Sequence, residues 1–289
     1  MRVSIAIVTR TADCQVGSLA ERLVSMTRDE ADCEILIVAE DASVAKPSPP
    51  VKEGDTSVVR VPPGRGLGYN RNRAIEACDG DVIVFLDDDC WPCDAWLTAL
   101  LSPFADGTVE AAMGNVRIPH STFIGDSISA LGFPGGGNAG FGVMFNVDED
   151  GFTDHLSTLN CAVRRHVFEV VGGFDESMTA GAEDGELSYR VHAAGLRMKF
   201  QPEATVEHRA RTSLTEFGRW FFQRGRAARQ YSRRAPAGPI IGRRLASYRR
   251  ILWAHRADPK IVAIVPLLVA SVLLQEAGFA REYLSEGRR

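Results

Sequence analysis

The sequence lacks most of the features that would place it outside the soluble globular proteins. Its 289 residues include only six scattered cysteines, so a disulfide-stapled secreted domain is not expected. The longest apolar run, Ile261 to Leu274, is interrupted by Pro266 and is shorter than the roughly 20 residues that span a bilayer. The run at Val3–Val8 is too short for a signal peptide and predicts a first strand. We therefore expect a reduced, cytoplasmic protein with one large α/β domain and an appendage, or two modest domains.

Charge is distributed unevenly along the chain. Through His208 there are 16 Lys and Arg against 32 Asp and Glu, whereas the remainder has 17 against 5. Between Arg209 and Arg256 every basic residue is an arginine, and Glu216 is the only acid. Such a segment attracts anions, namely phosphate groups or acidic lipid headgroups. The acidic first part would repel a duplex, so nucleic acid is not an expected partner.

Short β-branched runs alternate with helical patterns in the first part of the chain. Buried parallel strands are predicted over Val3–Val8, Glu34–Ala39, Ser57–Val61 and Val82–Leu86. Helices are predicted over Gly17–Thr27, Tyr69–Cys78 and Asp94–Phe104. This alternation is typical of βαβ units with right-handed crossovers and a parallel sheet.

The alternation ends after Val116. The glycine-rich segment Phe133–Phe145 lacks the strand–GxGxxG–helix context and the P-loop lysine, so a mobile loop over a ligand site is favoured over phosphate binding, with a plain linker as the other interpretation. Leu196–His208 predicts two short strands. The later helices are predicted within Met178–Ala194, Thr212–Arg234, Pro239–Ala254 and Ile261–Leu284.

Three aspartates, Asp87, Asp88 and Asp89, directly follow the apolar strand Val82–Leu86. Ligands of open α/β sheets bind at the carboxyl ends of the strands. Adjacent carboxylates repel one another unless a cation or protons intervene, and hard oxygen ligands suit Mg²⁺ or Mn²⁺, which bridge phosphate oxygens. The pattern therefore favours a divalent metal site over a solvated acidic turn.

Other candidates are less specific when each is taken alone. Arg71 lies near the start of a predicted helix, where phosphate oxygens can bind. One of the carboxylates of Glu183, Asp184 and Glu186 could act as a general base, although acids at a helix start are more often a simple charge pattern. His208 ends a short strand, where a structural role is commoner than metal ligation. The C-x-x-C pair Cys90 and Cys93 has no second pair, so we predict a structural role for it.

In their order along the chain, these segments resemble the inverting family 2 glycosyltransferases of the GT-A fold, from Val3 to about Tyr231. The resemblance implies a Rossmann-like, mostly parallel central sheet with helices on both faces over residues 1–211. A basic helical region would follow over residues 212–289 and would be membrane-associated or oligomerising. The segments that carry the resemblance are Ile5–Thr9, Ile35–Ser43, Gly68-Tyr-Asn-Arg71-Asn72, Phe85-Leu-Asp87-Asp-Asp89, Gly172-Gly-Phe-Asp-Glu176, Glu183-Asp184 and Val206-Glu-His208.

The resemblance also implies roles for the acids and the histidine. Asp87 and Asp89 match the family's D-x-D motif, with Asp89 as the direct metal ligand and Asp87 or Asp88 reaching the ribose. His208 matches the histidine that often completes the metal site. Asp184 matches the catalytic base.

The resemblance also implies which positions contact the nucleotide and the acceptor. Thr9, Asp41 and Arg71 match positions that contact the donor nucleotide, although Glu40-Asp41-Ala42-Ser43 departs from the usual pattern around the base-binding acid. The acceptor region is expected near Glu183, Arg219 and Trp220. Glu216-Phe-Gly-Arg219-Trp220 is similar to the Q-x-x-R-W motif of processive synthases, with Glu replacing Gln. Those enzymes carry several spanning helices, so we predict a non-processive enzyme here.

The resulting hypothesis is a metal-dependent transfer of sugar from a nucleotide-diphosphate donor to an acceptor hydroxyl, on a lipid-linked acceptor or a polysaccharide precursor, with Mn²⁺ or Mg²⁺ as cofactor. One alternative is a sugar nucleotidyltransferase, which needs a glycine-rich loop that the segment Thr9–Asp13 lacks. Another is a non-catalytic nucleotide-sugar-binding module, which would usually have lost the metal acids or the base.

The basic tail leaves two interpretations open. Arginines followed by an apolar helix combine two signals for binding an anionic membrane surface, which would put the protein at the inner face of the cell membrane. Alternatively, the arginines pair with the acidic domain, in the same subunit or in a neighbour of a homo-oligomer, and the apolar helix is core or interface.

Overall fold

The computed structural model describes residues 1–10, 14–28, 32–235 and 240–286, with the side chains of residues 14 and 240–246 outside the description. The strands are Val3–Thr9 (β1), Cys33–Glu40 (β2), Val51–Glu53 (β3), Thr56–Val61 (β4), Val82–Asp87 (β5), Cys90–Pro92 (β6), Val109–Arg117 (β7), Phe152–Thr153 (β8), Asn160–Arg164 (β9) and Arg197–His208 (β10). The α-helices are Cys14–Thr27 (α1), Leu67–Ala77 (α2), Trp96–Leu101 (α3), Phe123–Ser129 (α4), Phe141–Met144 (α5), Arg165–Val171 (α6), Glu183–Ala193 (α7), Leu214–Ser232 (α8), Ile240–Ala254 (α9) and Ile261–Glu286 (α10).

All ten strands belong to one mixed sheet in the order β3-β4-β2-β1-β5-β9-β7-β10-β6, with β8 paired to β10. The four strands predicted from the β-branched runs, β1, β2, β4 and β5, are parallel neighbours, as their alternation with helices predicts. The strand β9 then runs antiparallel to β5 and β7. The predicted α/β class is confirmed.

The buried strands alternate their side chains between two apolar layers, because successive residues of a strand point to opposite faces. Val84 and Leu86 of β5 pack in one layer with Leu23 of α1 and Trp96 of α3. Phe85 packs in the other layer, which includes residues of α2, α6 and α7. Helices on both faces therefore fix the position of the carboxyl end of β5.

The helices α8 and α10 form a separate layer with α4. Phe217 and Phe221 of α8 share a core with Ile264, Leu267 and Leu268 of α10 and with residues of α4. A Cβ atom added at Gly225 would collide with the backbone of Gln275, and one at Gly278 with the backbone of Phe222. Glycine at these two positions allows the helices to approach backbone to backbone. A domain boundary near residue 211 stays a prediction.

Three segments differ from the sequence-based expectations. Arg197–His208 forms one strand instead of two, because β10 pairs with β7 on both sides of a shift of register between Gln201 and Thr205. The segment Phe133–Phe145 contains a 3₁₀ turn at Gly137–Ala139 and the short helix α5, and within it only Asn138 and Gly142 are exposed. Asn138 anchors it by two hydrogen bonds to the backbone of Ile118.

The helix α10 is longer than the apolar run that predicted it. It extends for 26 residues, from Ile261 to Glu286. Pro266 lies inside the helix without ending it, and the helix continues through the polar residues after Leu274. The expectation that it is too short to cross a bilayer is wrong: by length and composition alone, α10 is the one described helix that could do so. A core helix can have the same composition, so this length does not show a membrane span.

Candidate functional site

The carboxyl ends of β1, β2 and β5 meet at one edge of the sheet and bring polar side chains together there. Thr9 ends β1, and its hydroxyl donates to Asp88 Oδ2 at 2.5 Å. Gln15, in α1, donates to the backbone oxygen of Asp88 at 3.3 Å. These contacts hold the Asp87–Asp89 turn against the first strand and helix.

The chain turns after Asp89 into the short strand β6, whose pairing with β10 places His208 next to the acidic turn. The short strand β6 runs antiparallel to β10 and pairs Cys90 with His208. His208 Nε2 lies 3.1 Å from Asp89 Oδ1, and the histidine is buried. Its other ring nitrogen, Nδ1, lies 2.8 Å from the backbone oxygen of Arg209, which can only accept a hydrogen bond. A protonated imidazole would donate from Nε2 to Asp89, whereas a neutral one would keep its proton on Nδ1 and offer the lone pair of Nε2 to a metal ion.

Two acceptor atoms that face each other at this distance need a proton or a cation between or beside them. One carboxylate oxygen of Asp89, one ring nitrogen of His208 and the sulfur of Cys90 lie within 4.8 Å of one another. Burial, together with the charges of Asp87, Asp89 and Asp88, raises the pKa of the Cys90 thiol well above its usual range. Mn²⁺ and Mg²⁺ prefer oxygen and imidazole ligands over sulfur, so Asp89 and His208 are the candidate ligands within this set, with further oxygen ligands.

The acids of the turn differ in their electrostatic settings. Burial raises the pKa of Asp87, and the charge of Asp89 adds to the effect, while Arg71 opposes it. Burial also disfavours the charged form of Asp89, but the hydrogen bond and charge of His208 outweigh it and hold the pKa of Asp89 below its usual range. Asp89 is therefore ionised and prepared to bind a cation.

Arg71 connects the acidic turn to the start of α7. Its side chain is 3% exposed; Nη2 lies 3.2 Å from Asp87 Oδ1, and Nη1 donates to Glu183 Oε1. The other oxygen of Glu183, Oε2, is buried without a hydrogen-bond partner in the described structure. The guanidinium of Arg71 is thus committed within the protein, and little of it is open to a ligand.

Glycine permits this close approach of α2 and α7. Gly66, which precedes α2, has a φ of 93°, a conformation that favours glycine. A Cβ atom at Gly68 would lie 3.2 Å from the backbone oxygen of Asp175 and 3.6 Å from Glu183 Cβ. Asn72 then binds the backbone of Phe174 through both ends of its amide, at 2.8 and 2.9 Å. The Gly172–Glu176 loop is thereby fixed beside α2.

Asp184 lies in the first turn of α7, one residue beyond Glu183. It is half-buried, and its Oδ1 accepts from the backbone N–H of Gly185 at 2.8 Å. Its charge acts on both Arg71 and His155. Burial lowers the pKa of His155, which stacks on Phe145 with ring centroids 4.0 Å apart. A neutral imidazole and an aromatic ring therefore lie near the carboxylate of Asp184.

Two arginines flank Trp220 in α8. The guanidinium carbons of Arg211 and Arg224 lie 4.7 and 4.8 Å from the centre of one of its rings, and Arg224 also lies 4.1 Å from the ring of Phe133. Burial lowers the pKa of Arg211, whereas the negative charges of Asp89 and Asp87 act in the opposite direction. Arg211 is therefore close enough to the acidic turn to interact with it. Arg219, by contrast, is exposed.

Asp41 lies at the end of β2 and is stabilised locally. Its Oδ1 accepts from the backbone N–H of Ser43 at 2.8 Å, and Oδ2 lies 3.7 Å from Arg60 Nε. The hydrogen bonds from Ser43 lower the pKa of Asp41. The neighbouring Glu40 is the acid that reaches α2, through a 3.1 Å hydrogen bond from Asn70.

The predicted site residues thus fall into groups. One group consists of the acidic turn with the side chains that contact it, namely Asp87, Asp88, Asp89, Thr9 and His208. Arg71 connects this group to Glu183, which precedes Asp184 in the chain. Arg211, Arg224 and His155 are not among the site residues predicted from the sequence. Arg211 follows His208 by three residues, which was an available signal, whereas His155 and Arg224 stood in no recognisable pattern.

Comparison with known proteins identifies the family. The model of the family described as "Glycosyl transferase family 2" matches residues 4–169, more than half of the chain. The chain therefore belongs to glycosyl transferase family 2. The match ends before Asp184 and His208, so these two positions depend on the geometry described above.

Curated relatives agree with this membership. The chain is 33% identical over 188 residues to a pre-mycofactocin glycosyltransferase of Mycobacterium tuberculosis, an alignment that covers 60% of this chain and 37% of the relative. It is 33% identical over 158 residues to the O-antigen chain rhamnosyltransferase WbaN of Salmonella anatum, covering 53% and 50% of the two chains. The chain thus spans between about a third and half of the length of these relatives.

Solved structures confirm the GT-A fold that the resemblance implied. The mannosyltransferase PcManGT from Pyrobaculum calidifontis, in complex with GDP-Man and Mn²⁺, superposes with a TM-score of 0.58 at 16% identity, covering 95% of this chain and 86% of that one. GalNAc-T7 with UDP, GalNAc and Mn²⁺ gives a TM-score of 0.54 at 15% identity, covering 91% and 57%. At these identities the likeness concerns the fold alone.

Proposed function

We propose that the protein is a metal-dependent, inverting and non-processive glycosyltransferase that moves a sugar from a nucleotide-diphosphate donor to an acceptor hydroxyl. The observation that carries the proposal is the facing pair Asp89 Oδ1 and His208 Nε2, 3.1 Å apart, at the carboxyl edge of the sheet. Membership of glycosyl transferase family 2 supports the reaction type. The donor, the acceptor and the stereochemistry are parts of the proposal.

Asp89 and His208 would hold Mn²⁺ or Mg²⁺, since their donor atoms fit a hard divalent cation. Such a cation, when bound, neutralises charge that develops on the departing diphosphate. Asp87 or Asp88 would bind the ribose, and the hydroxyl of Thr9 would hold the carboxylate of Asp88 in place. Asp41 would contact the nucleobase, with its carboxylate oriented by Ser43.

Asp184 would act as the general base. Its half-buried carboxylate can accept the proton of the acceptor hydroxyl while that oxygen attacks the anomeric carbon on the face opposite to the diphosphate, which inverts the configuration. Glu183 and Arg71 would position Asp184 indirectly, because their buried ion pair fixes the start of α7. We therefore propose a positioning role for both residues in place of direct contact with acceptor or nucleotide.

Arg211 and Arg224 are proposed to add positive charge on the α8 side of the site. Stacking against the ring of Trp220 limits their motion, and a guanidinium can bind phosphate oxygens through two N–H groups. They would assist departure of the diphosphate or bind a phosphate of a lipid-linked acceptor. The exposed Arg219 is a weaker candidate than the sequence pattern suggested. The name of the Salmonella relative supports a polysaccharide precursor as acceptor.

Incubation with UDP-, GDP- and dTDP-sugars and Mn²⁺ tests this function. A glycosyltransferase is expected to hydrolyse one class of donor slowly to free sugar and nucleoside diphosphate. A sugar nucleotidyltransferase would instead form sugar phosphate and nucleoside triphosphate when pyrophosphate is added. Binding of a donor without either product would indicate a non-catalytic module. Release of nucleoside diphosphate at the same rate without a divalent cation would contradict the proposed metal dependence.

A further inference from the structure

The first half of α10 exposes an apolar face that the enzyme's core does not use. Every exposed side chain between Ile261 and Leu274 is apolar. Four valines and a leucine, between 38% and 72% exposed, follow helical spacing on this face and are here termed the valine stripe: Val262, Val265, Val269, Val272 and Leu273. An exposed helix face is normally polar, so a contiguous apolar stripe marks an interaction surface.

Cationic and aromatic side chains precede the stripe in the chain, on α9 and in its connection to α10. Trp253 is 67% exposed near the end of α9, and the guanidinium carbon of Arg256 lies 4.1 Å from its ring. Arg249 and Arg256 are both exposed. The acid in the connection to α10, Asp258, already contacts His255 and Lys260. Tryptophan and arginine beside an apolar helix face are typical of segments that lie in the interface of an anionic membrane.

The packing of α10 favours a helix that lies in the membrane plane over one that crosses the bilayer. Gly225 and Gly278 allow α8 and α10 to touch along their backbones. Beyond the stripe, Glu282 binds Arg226 at 2.7 Å and Glu286 binds Arg229 at 2.8 Å. A spanning α10 would have to break these contacts or carry the arginines of α8 into hydrocarbon, which costs several kcal/mol for each charge.

We propose that the valine stripe, together with Trp253, Arg249 and Arg256, docks the enzyme in plane on an anionic membrane surface. This proposal rests on the proposed function, since it implies an acceptor carried by the membrane. The opposite face of α10 packs on Phe217 and Phe221, whose neighbour Trp220 lies beside Arg211 and Arg224. The docking surface is therefore separated by one helix, α8, from the arginines assigned to the site.

The alternative occupant, a second copy of the chain, is less favoured by charge. A self-complementary contact between two stripes would bring the exposed arginines beside each stripe towards those of the other copy, and like charges repel. Phosphate headgroups supply the opposite charge and need no particular register. The membrane is for that reason the occupant to which we commit.

Flotation with lipid vesicles tests the proposal. The full chain is mixed with vesicles of phosphatidylcholine alone or with added phosphatidylglycerol, and the protein in the floating layer is measured. We expect the unchanged chain to float with the anionic vesicles. The double variant Val262→Asp/Val269→Asp should bind these vesicles more weakly, by about tenfold in affinity for each valine replaced. Val170→Asp is the matched control, because Val170 is 61% exposed on α6, and it should float like the unchanged protein.

Each other outcome overturns the proposal. If the unchanged chain does not float with either lipid, or if the double variant floats equally well, the stripe does not dock on membranes. If the unchanged chain is a dimer in lipid-free solution and the double variant a monomer, the stripe is an interface between copies. Slow donor hydrolysis, measured on the same samples, reports the proposed function independently of the membrane, and circular dichroism confirms that the variants are folded.

Discussion

At the scale of single residues, similar carboxylates have different electrostatic surroundings. Asp87 is half-buried beside Arg71, and desolvation raises its pKa. Asp89 faces His208, which holds its pKa low and keeps it charged. Asp184 is half-buried in the first turn of α7. The difference predicts that substitution of each acid impairs a different step.

For Asp89, we predict loss of metal binding. Asp89→Asn removes the charge that faces His208 Nε2, so the affinity for Mn²⁺ should fall by at least about 100-fold. Residues that only support metal ligands typically cost about 10–100-fold in affinity when they are replaced, and a direct ligand should cost more. Calorimetric titration with Mn²⁺ measures this. Asp94→Asn is the control, because Asp94 is fully exposed and pairs with Arg22 away from the site. Equal Mn²⁺ affinity in the two variants would remove Asp89 from the metal site.

For Asp184, we predict loss of turnover with donor binding preserved. Asp184→Asn keeps the shape of the side chain but cannot take the acceptor's proton, so kcat should fall about 10²–10⁴-fold. Single-turnover kinetics give the rate, and titration with the donor gives its affinity. The exposed Asp150 supplies the control variant Asp150→Asn. Normal turnover by Asp184→Asn would reject its assignment as the base.

At the scale of secondary-structure elements, the site depends on contacts between elements distant in sequence. Arg71 of α2 and Glu183 of α7 are 112 positions apart, yet their side chains pair in the interior. Asp87 of β5 completes the group. Breaking such a pair leaves a buried charge without compensation, whereas removing both charges together is far less costly.

We therefore predict opposite effects of one and two substitutions at this contact. Arg71→Met should lower the free energy of unfolding by about 3–5 kcal/mol, because it leaves Glu183 buried and uncompensated. Adding Glu183→Gln should recover most of that loss. Urea denaturation of the single and double variants measures both values. Equal stability of the two would mean that Glu183 is neutral in the folded protein.

The crossing of α8 and α10 allows a second prediction at this scale. Gly225→Ala should destabilise the protein by about 1–3 kcal/mol, since its Cβ would collide with the backbone of Gln275. Gly218→Ala in the same helix has open space around its Cβ and should stabilise by about 0.5–1 kcal/mol. Thermal unfolding compares them. A shift of the same sign in both would show that α10 does not pack against Gly225.

At the scale of the whole molecule, the basic tail neutralises charge both within itself and across the chain. Arg226 and Arg229 pair with acids of α10, whereas Arg234 reaches Asp175 in the loop beside α2. The interpretation that the arginines pair with the acidic domain therefore holds for Arg234 within one chain. Arg249 and Arg256 are exposed and lie shortly before the valine stripe in the chain, and we propose that they bind an anionic surface.

Nucleotide binding should stabilise the whole fold, because it links the edges of several strands. With Mn²⁺ present, a nucleoside diphosphate at 100 times its Kd adds about 2.7 kcal/mol, which corresponds to a rise in Tm of roughly 5–10 °C. Thermal unfolding with UDP, GDP and dTDP measures this and identifies the base. The rise should vanish when EDTA replaces Mn²⁺. An equal rise with EDTA would mean that the cation does not take part in binding.

Sequence by itself determined the parallel strands and the location of the acidic turn. Apolar β-branched runs such as Val82–Leu86 are buried on both faces of a sheet, and the chain direction fixes which end carries Asp87, Asp88 and Asp89. These are local properties, so a single segment contains the information. The order of such segments was also enough to indicate the family.

Tertiary structure alone decided which distant side chains meet. His208 contacts Asp89 because β6 runs antiparallel beside β10. Arg71 pairs with Glu183, so little of it is open to a ligand. Arg211 stacks on Trp220, whereas the sequence pattern indicated Arg219. Tertiary structure also decided that one face of α10 is covered by α8 while the valine stripe is exposed. Contacts between elements depend on how helices and strands pack, and no periodicity within one segment encodes that packing.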